Sequence, residues 1–296
     1  NPYVIYIPNN TSTLHQKYFD RINAEDKIFL NSNPIKFSNS LCHIYNFFKL
    51  EKKFKASNFK KVYFSSIGDL FLCILLGRAI NSELNLFDDG TFNLDKELFL
   101  DWVKKESFTE KIIRQLFAGE HAFDSYKKLK CNYTIFPLSF SKWIHCPSVY
   151  IDFLPNHKQL SNLSKTVSTK DKTLRVLVGS YFTSDQYKLD IVYRPIIKNF
   201  KADMHITHPG NREEKFFIRP SLENLFLSNS YENMIAEEII FVLLKSGYKV
   251  NLYGFSSTVL FNMSRYTNSF SIALDRETLL KKDFYKKFGI KLLKGF

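Results

Sequence analysis

The sequence predicts an α/β protein built from two parallel-sheet domains. Short β-branched and aromatic segments alternate with helical segments along the 296 residues, and this alternation is typical of parallel strands joined by crossover helices. Residues 156–172 are poor in large apolar side chains and rich in Ser, Thr, Asn and Lys, which favours a linker there. We therefore predict one domain over residues 1–155 and another over residues 173–296, with a cleft between them.

In the first domain, strands and helices are expected to alternate from the start of the sequence. The strand segments carry β-branched and aromatic side chains, and the helical segments follow turns or capping residues. Strands are predicted at residues 3–7, 27–30, 61–66 and 84–87, and helices at residues 11–22, 41–50 and 69–78.

The same alternation resumes after the linker. Strands are predicted at residues 174–180, 204–207 and 249–253, and helices at residues 231–245 and 259–263. Gly247 follows the first of these helices closely, as glycine often does at a helix end. Several strands of this domain end in small or hydroxyl-bearing residues, which makes their ends candidates for ligand binding.

Composition narrows the class of protein. The chain has 45% hydrophobic and 16% aromatic residues, enough for full cores, but no run of 18 apolar residues that would span a membrane. No signal peptide is expected at the start. The cysteines show no CxxC spacing, so neither a zinc site nor a disulfide framework is expected, and a reducing cytoplasm fits. They are Cys42, Cys73, Cys131 and Cys146.

Charge points to the kind of partner. The formal net charge is +13, from 42 Lys and Arg against 29 Asp and Glu, which favours nucleic acid, an anionic membrane surface or a phosphorylated substrate. Most lysine clusters are typical of solvated helix faces. Residues 279–288 differ because they mix lysines with aromatic and leucine side chains, as an amphipathic helix at a membrane interface does. We therefore expect peripheral membrane contact through this segment.

A pair of carboxylates at a strand end is the first candidate for chemistry. Asp88, Asp89 and Gly90 directly follow the strand predicted at residues 84–87. Adjacent charges at a buried strand end are costly unless partners or a ligand hold them. Ligands of open α/β sheets bind at the carboxyl ends of the strands. The alternative is an ordinary Asp-Gly turn.

A phosphate site is the second candidate, in the second domain. Residues 254–258 place hydroxyl groups where a strand gives way to a helix, and residues 179–180 offer a weaker site of the same kind. The residues concerned are Gly179, Ser180, Ser256, Ser257 and Thr258. Backbone N–H groups and the helix dipole attract an anion at such a junction. Alternatively, Ser256 only caps the helix. The absence of a GxxxxGK[ST] loop disfavours ATP or GTP hydrolysis.

A histidine held at a strand end is the third candidate. His208 follows the strand predicted at residues 204–207 and is fixed on its other side by Pro209. Near neutral pH it can donate to a phosphate oxygen or protonate a leaving group. His205 lies on the same strand and is a support or a core residue. The alternative for His208 is also a structural role.

The three candidates together fit one reaction class. A carboxylate in one domain would face a histidine and a hydroxyl-rich phosphate site in the other. This layout suits transfer of a group from a nucleotide donor to an alcohol, with the base on the acceptor side and the acid beside the leaving phosphate. A donor with a single phosphate requires no Asp-x-Asp metal motif.

These residues also resemble a known family. Residues 87–90, His208-Pro209 and Ser256-Ser257 resemble, in this order, the three motifs of bacterial sialyltransferases. Residues 87–93 and 132–138 are most similar to glycosyltransferase family 52. The resemblance implies a GT-B-like fold of two Rossmann-type domains. It also implies inverting, metal-independent transfer of N-acetylneuraminic acid from CMP-sialic acid to a galactose hydroxyl of lipooligosaccharide.

The resemblance assigns roles position by position. Asp89 would be the general base, with Asp88 and Gly90 beside it on the acceptor side. His208, followed by Pro209, would stabilise or protonate the leaving CMP phosphate. Hydroxyl and backbone donors of residues 256–258 would hold that phosphate, and Glu237 or Glu238 would bind the cytidine ribose.

Two departures and two alternatives accompany the resemblance. The chain opens at Asn1-Pro2-Tyr3 without the family's usual first strand turn, and Gly210 stands where related enzymes often have Arg, which leaves phosphate neutralisation to a residue such as Arg212.

A transferase of another CMP-activated sugar, such as a Kdo-type acid, fits the same motifs. A nucleic-acid-binding protein fits the charge, but no RNP-type motif, zinc finger or helix-turn-helix pattern accompanies it.

The resemblance also implies a cellular setting. The expected partners are CMP-sialic acid, a galactose-terminated lipooligosaccharide and an anionic inner-membrane surface, and not nucleic acid. The expected location is the bacterial cytoplasm, peripheral on the cytoplasmic face of the inner membrane. The oligomeric state is left open, with a homodimer as one expectation.

Overall fold

The chain forms two compact units in a computed structural model. The first comprises Asn1–Thr11 and Ile22–Asp152, and the second comprises Ser12–Arg21 and Phe153–Phe296. The structure describes residues 2–6, 13–29, 59–65, 67, 69–79, 81–88, 96–151, 172–180, 193, 196–199, 201–208, 217–226, 231, 234–255, 257–273 and 282–294. The helix predicted at residues 41–50 and the linker up to residue 171 lie outside them.

The described residues include twelve strands and nine α-helices, together with one 3-10 turn at Leu138–Phe140. The strands are β1 Tyr3–Tyr6, β2 Asp26–Phe29, β3 Lys61–Phe64, β4 Glu83–Phe87, β5 Leu129–Thr134, β6 Ser148–Tyr150, β7 Thr173–Val178, β8 Met204–Ile206, β9 Phe217–Ile218, β10 Lys249–Gly254, β11 Asn268–Ala273 and β12 Lys291–Lys294. The helices are α1 Thr13–Arg21, α2 Leu70–Arg78, α3 Lys96–Lys104, α4 Phe108–Leu116, α5 Ala122–Lys127, α6 Pro220–Glu223, α7 Ala236–Lys245, α8 Thr258–Met263 and α9 Lys282–Lys287.

The predicted α/β class is confirmed. Each strand and helix predicted on described residues is present, although the helix predicted from residue 231 begins at Ala236. No helix in the described ranges is long and apolar enough to cross a membrane.

The first unit contains a parallel sheet with helices packed on one face. Its strands lie in the order β3-β4-β5-β6, and β1 and β2 form a separate parallel pair. Because alternate residues of a strand point to opposite faces, Phe64, Leu84 and Leu86 share one face. They pack there with residues such as Phe99 of α3 and Tyr126 of α5 in a common core.

Local sequence sets the starts and contacts of these helices. The Asp69 carboxylate accepts the Leu72 N–H at 2.9 Å and caps α2, which satisfies a backbone donor that would otherwise have no partner in the helix. Gly77 allows a close approach between α2 and the chain after α4, because a Cβ at this position would lie 2.4 Å from the Ala118 carbonyl oxygen. This packing position therefore requires glycine.

The strand order of the second unit reverses between two neighbouring strands. The sheet has the order β12-β11-β10-β7-β8-β9 and is parallel except for β9, which pairs antiparallel with β8. After β7, the chain adds β8 and β9 on one side of it. β10 then pairs with the other side of β7, and β11 and β12 follow beyond β10. In doubly wound sheets, ligands bind outside the carboxyl ends of the strands at such a reversal. The reversal between β7 and β10 therefore locates a candidate site.

One helix differs from the sequence-based domain assignment. We predicted that residues 1–155 form one domain, but α1 belongs to the second unit. The Tyr18 hydroxyl donates to the Glu238 carboxylate and accepts the Ile235 N–H at 2.7 Å. Arg21 Nη1 lies 3.0 Å from Glu238 Oε1. These bonds join α1 to the start of α7 across more than 200 positions of sequence, so no local pattern predicts them.

The C-terminal segment also differs from expectation. In α9 and just after it, Tyr285 and Phe288 are 3% and 8% exposed and pack against the Phe261 ring. These aromatic side chains belong to the core of the second unit, so they are not available to a bilayer. Lys286 and Lys287 of the same helix are exposed.

Candidate functional site

The two predicted phosphate-site segments and His208 lie at the ends of neighbouring strands. β10, β7 and β8 are neighbours in the sheet and run parallel, so their carboxyl ends meet at one edge. Phe255 and Ser257 follow β10, Gly179 and Ser180 follow β7, and His208 follows β8 by two residues. The structure therefore brings together residues that are separated by up to about 80 positions in sequence, as expected for a doubly wound sheet.

Direct hydrogen bonds join the ends of these three strands. The Ser180 hydroxyl donates to the Phe255 carbonyl at 2.7 Å, across the reversal between β7 and β10. The Gly179 N–H donates to the Ile206 carbonyl at 2.8 Å, which extends the pairing of β7 with β8 by one step. Small residues at this point allow the backbones to approach a ligand closely.

The buried side chain of Tyr193 packs against the same edge of the sheet. The Tyr193 hydroxyl accepts the Ser180 N–H at 2.8 Å, and Tyr193 is only 3% exposed. Its ring centroid lies 4.7 Å from that of His205 and 5.6 Å from that of Phe255. The ends of β7, β8 and β10 thus share one aromatic contact, which fixes them relative to one another.

His205 in β8 and His208 just after it differ in burial. His205 is 2% exposed and packs on Tyr193, so it supports the sheet. His208 is partly exposed at the strand end. Pro209, Gly210 and Arg212 lie outside the described residues.

Ser257 is the N-cap residue of α8. Its φ and ψ are −72° and 139°, and its side chain makes no capping hydrogen bond. Thr258 is the first residue of the helix and is partly exposed. The expectation that Ser256 caps this helix is not met, because the cap is one residue later; Ser256 itself lies outside the described residues.

The two glutamates proposed for the ribose have different surroundings. The Glu238 carboxylate is occupied by Tyr18 and Arg21, so its oxygens already serve the attachment of α1. Glu237 Oε1 accepts a hydrogen bond from Asn262 Nδ2 of α8 at 2.8 Å. Burial raises the pKa of Glu237, and the Asn262 bond opposes that rise. Glu237 is therefore the better candidate for ligand binding.

In the first unit, Asp88 follows β4 and is held by the end of β5. The Ile135 N–H donates to Asp88 Oδ2 at 2.7 Å. Burial raises the pKa of Asp88 to about 6, although hydrogen bonds from Ile135 and the Thr134 side chain oppose the rise. Thr134 Oγ1 in turn accepts the Phe136 N–H at 3.0 Å. Asp88 is thus an anchored carboxyl group, and Asp89 and Gly90, which follow it, lie outside the described residues.

Several supporting residues were not anticipated from sequence. Thr134 and Ile135 fall in a segment noted only for its family resemblance, and no pattern marked them as partners of Asp88. Tyr193 and Asn262 were also missed, because one buried tyrosine or one helical asparagine carries no local signal of its contacts. Among the described residues, no group of three or more His, Cys, Asp and Glu side chains could hold a metal ion.

A doubly wound sheet with hydroxyl, glycine and histidine residues at its strand reversal is typical of proteins that bind a phosphorylated ligand. Comparison with family models identifies the family: glycosyltransferase family 52 matches residues 1–278, and the chain belongs to this family. The resemblance inferred from the sequence motifs is confirmed.

A curated relative adds a more specific similarity. The chain is 25% identical over 165 residues to a CMP-N-acetylneuraminate:beta-galactoside alpha-2,3-sialyltransferase of Pasteurella multocida (strain Pm70). The match covers 55% of this chain and 50% of the relative. The chain thus matches about half the length of this curated relative.

Proposed function

We propose that this protein is a sialyltransferase that moves N-acetylneuraminic acid from CMP-sialic acid to a galactose hydroxyl. The observation that carries the proposal is the shared edge of β10, β7 and β8, where hydroxyl, glycine and histidine residues meet at the strand reversal. Family membership and the sialyltransferase relative support the choice of donor.

The donor phosphate would lie at this edge. Ser257 and the backbone after β10 donate to its oxygens, with Ser256 as the neighbouring donor and Ser180 holding the two strand ends in place. Glu237 accepts from the ribose hydroxyls, and its bond to Asn262 holds the carboxylate in place for that contact.

The transfer itself requires one base and one acid. Asp89 accepts the proton of the galactose hydroxyl, whose oxygen bonds to the anomeric carbon of the sialic acid. The bond between that carbon and the CMP phosphate oxygen breaks in the same step, and His208 donates a proton or hydrogen bond to the departing phosphate. Attack from the face opposite the phosphate inverts the anomeric configuration.

The same proposal includes metal independence. A single donor phosphate carries less charge than a diphosphate, and His208 with neighbouring donors would offset it. Activity that is unchanged by EDTA supports this point, and activity that returns only when a divalent cation is added contradicts it.

The proposal also includes peripheral association with an anionic inner-membrane surface on its cytoplasmic side. The contact would be made by helix α4 and not by residues 279–288. Helix α4 exposes Phe108, Ile112 and Leu116 on one stripe, with exposed fractions of 78%, 40% and 75%. Exposed lysines flank this stripe, at Lys104, Lys105 and Lys111. Apolar side chains beside cations are typical of interfacial helices.

Two finer points rest on the family resemblance. They are the GT-B arrangement of the two units and lipooligosaccharide as the natural acceptor. A homodimer is one candidate oligomeric state. Each unit by itself has the parallel sheet that a GT-B protein requires. A Kdo-type donor stays the alternative, because the phosphate site does not contact the sugar.

The test is a transfer assay with CMP-sialic acid and a β-galactoside, in which the sialylated product is detected by mass spectrometry. We expect product from the wild-type protein, turnover reduced by several orders of magnitude in Asp89→Asn, and nearly unchanged CMP affinity in that variant. Transfer from CMP-Kdo alone would favour the alternative donor. Near-wild-type turnover of Asp89→Asn would remove Asp89 from the role of base.

A further inference from the structure

Three aromatic side chains share one face near the carboxyl edge of the sheet in the first unit. Phe87 ends β4 and pairs in register with Tyr133 of β5, so both rings point to the same face. Tyr63 of β3 is in register with Asn85, two residues before Phe87, and therefore shares that face as well. The Tyr63 and Tyr133 ring centroids are 5.6 Å apart.

This aromatic platform, defined as Tyr63, Phe87 and Tyr133, is accessible. Tyr63 is 51% exposed and Phe87 is 43% exposed, whereas the opposite face of the same strands is buried in the core. The Tyr63 side chain beside it raises the pKa of Tyr133 to about 12. The platform thus presents aromatic faces with polar groups beside them.

Its position links it to the candidate site of this unit. The aromatic residues lie at or next to the ends of their strands, and Asp88 follows Phe87 directly. The Ile135 N–H holds the Asp88 carboxylate in place, so the backbone directly after Phe87 is fixed relative to the sheet. Ligands of open parallel sheets bind at this edge.

We propose that the aromatic platform binds the acceptor sugar, a galactose-type pyranose, by stacking on its apolar face. One face of galactose presents C–H groups, while its hydroxyls lie around the rim; aromatic rings and tyrosine hydroxyls complement these two features respectively. The inference rests on the proposed function, because it assigns the acceptor of that transfer to named residues.

A neighbouring residue provides a matched control. Val149 of β6 is in register with Tyr133, lies on the same face and is 44% exposed. It has neither an aromatic ring nor a hydroxyl. Loss of Val149 therefore tests whether exposed apolar surface alone contributes, whereas loss of Phe87 or Tyr63 tests the rings.

The kinetic test varies the β-galactoside at saturating CMP-sialic acid. We expect Phe87→Ala and Tyr63→Ala to raise the acceptor KM by about tenfold each, with kcat, donor KM and CMP affinity close to wild type. Tyr63→Phe should restore most of the acceptor affinity, and Val149→Ala should not change it. An unchanged acceptor KM in both alanine variants, or an equal rise in Val149→Ala, would overturn the proposal.

A binding measurement separates this inference from the proposed function. Saturation-transfer NMR with methyl β-galactoside requires no turnover, so it reports on the platform even if no transfer is found. We expect signals from the sugar C–H protons with the wild-type protein and their loss in the Tyr63→Ala, Phe87→Ala double variant. If transfer occurs but the double variant retains these signals, the platform is wrong and the proposed function stands.

Discussion

The hydroxyl of Ser180 donates to the carbonyl of Phe255 at 2.7 Å and joins the ends of the two strands between which the sheet order reverses. One residue thus links the segments that the proposed phosphate site requires. Without this bond, the two strand ends would be held less firmly.

Replacing Ser180 with alanine should therefore weaken CMP binding. A lost hydrogen bond of about 1 kcal/mol corresponds to about fivefold in affinity, measured by calorimetric titration. Ser264→Ala is the matched control, because Ser264 Oγ also donates to a backbone carbonyl, that of Phe261, at 2.9 Å, but at the far end of α8. Equal effects of the two substitutions would show that Ser180 has no special relation to the ligand.

The anchored carboxyl group of Asp88 should give the first unit a distinct pH dependence. Its folded-state pKa of about 6 lies above the ordinary value of 3.8, so the folded state keeps a proton that the unfolded chain releases. The stabilisation is complete below about pH 4 and is lost as the pH rises through 6, by about 2 to 3 kcal/mol. Asp88→Asn removes this titration and should flatten the decline.

Urea unfolding at pH 4.5, 5.5 and 7 measures this difference. Both tryptophans, Trp102 and Trp143, belong to the first unit, so fluorescence reports on the unit that contains Asp88. Parallel stability curves for wild type and Asp88→Asn would contradict the raised pKa.

The attachment of α1 to the second unit should depend on Tyr18. Tyr18→Phe removes the hydroxyl that donates to Glu238 and accepts the Ile235 N–H. We expect it to cost about 1 to 3 kcal/mol, because a backbone N–H and a partly buried carboxylate lose a partner. Gln16→Ala is the control, since it removes only an exposed bond to Asp20 on the same helix.

Amide hydrogen exchange can locate this effect. Protection should fall in α1 and in the first turn of α7 in Tyr18→Phe and stay at the wild-type level in Gln16→Ala. Loss of protection throughout both units, or none in α1, would argue against a local role for this bond.

The exposed stripe of α4 should determine membrane affinity. Phe108→Ser with Leu116→Ser should reduce sedimentation with vesicles of 70% phosphatidylcholine and 30% phosphatidylglycerol at least severalfold, because both apolar side chains insert. Gln115→Ser, an exposed polar change on the same helix, is the control. Binding should also weaken with salt, since lysines beside the stripe contribute electrostatically. Equal binding of all three proteins would exclude α4 as the contact.

How far the sequence predicts this fold depends on the range of each interaction. Strands β1 to β4, β7, β8 and β10 follow from local runs of β-branched and aromatic residues, and α2 follows from its cap Asp69. Helices α3 to α5 and strands β5, β6, β9, β11 and β12 were not predicted, although α4 carries a local signal in the capping box formed by Ser107 and Glu110. The membership of α1 in the second unit depends on Tyr18 and Glu238, which are far apart in sequence and give no local signal.

The candidate site divides in the same way. His208, Ser257 and the Gly179–Ser180 segment could be selected because strand ends and their residue types are visible in sequence. Their proximity depends on the strand order, which sequence alone left open. Glu237 and Glu238 differ only through their contacts with Tyr18, Arg21 and Asn262, which are distant in sequence. The segment at residues 279–288 has the composition of an interfacial helix. Its aromatic side chains instead pack on Phe261, a contact that the segment's own sequence does not reveal.

The most direct test of the account is calorimetric titration with CMP, with UMP and GMP as controls, on wild type and His208→Ala. We expect selective CMP binding by the wild-type protein and weaker binding by His208→Ala, because the imidazole just after β8 would contact the phosphate. Equal affinity for the three nucleotides, or undiminished CMP binding by His208→Ala, would contradict the placement of the donor phosphate at the shared edge of β10, β7 and β8.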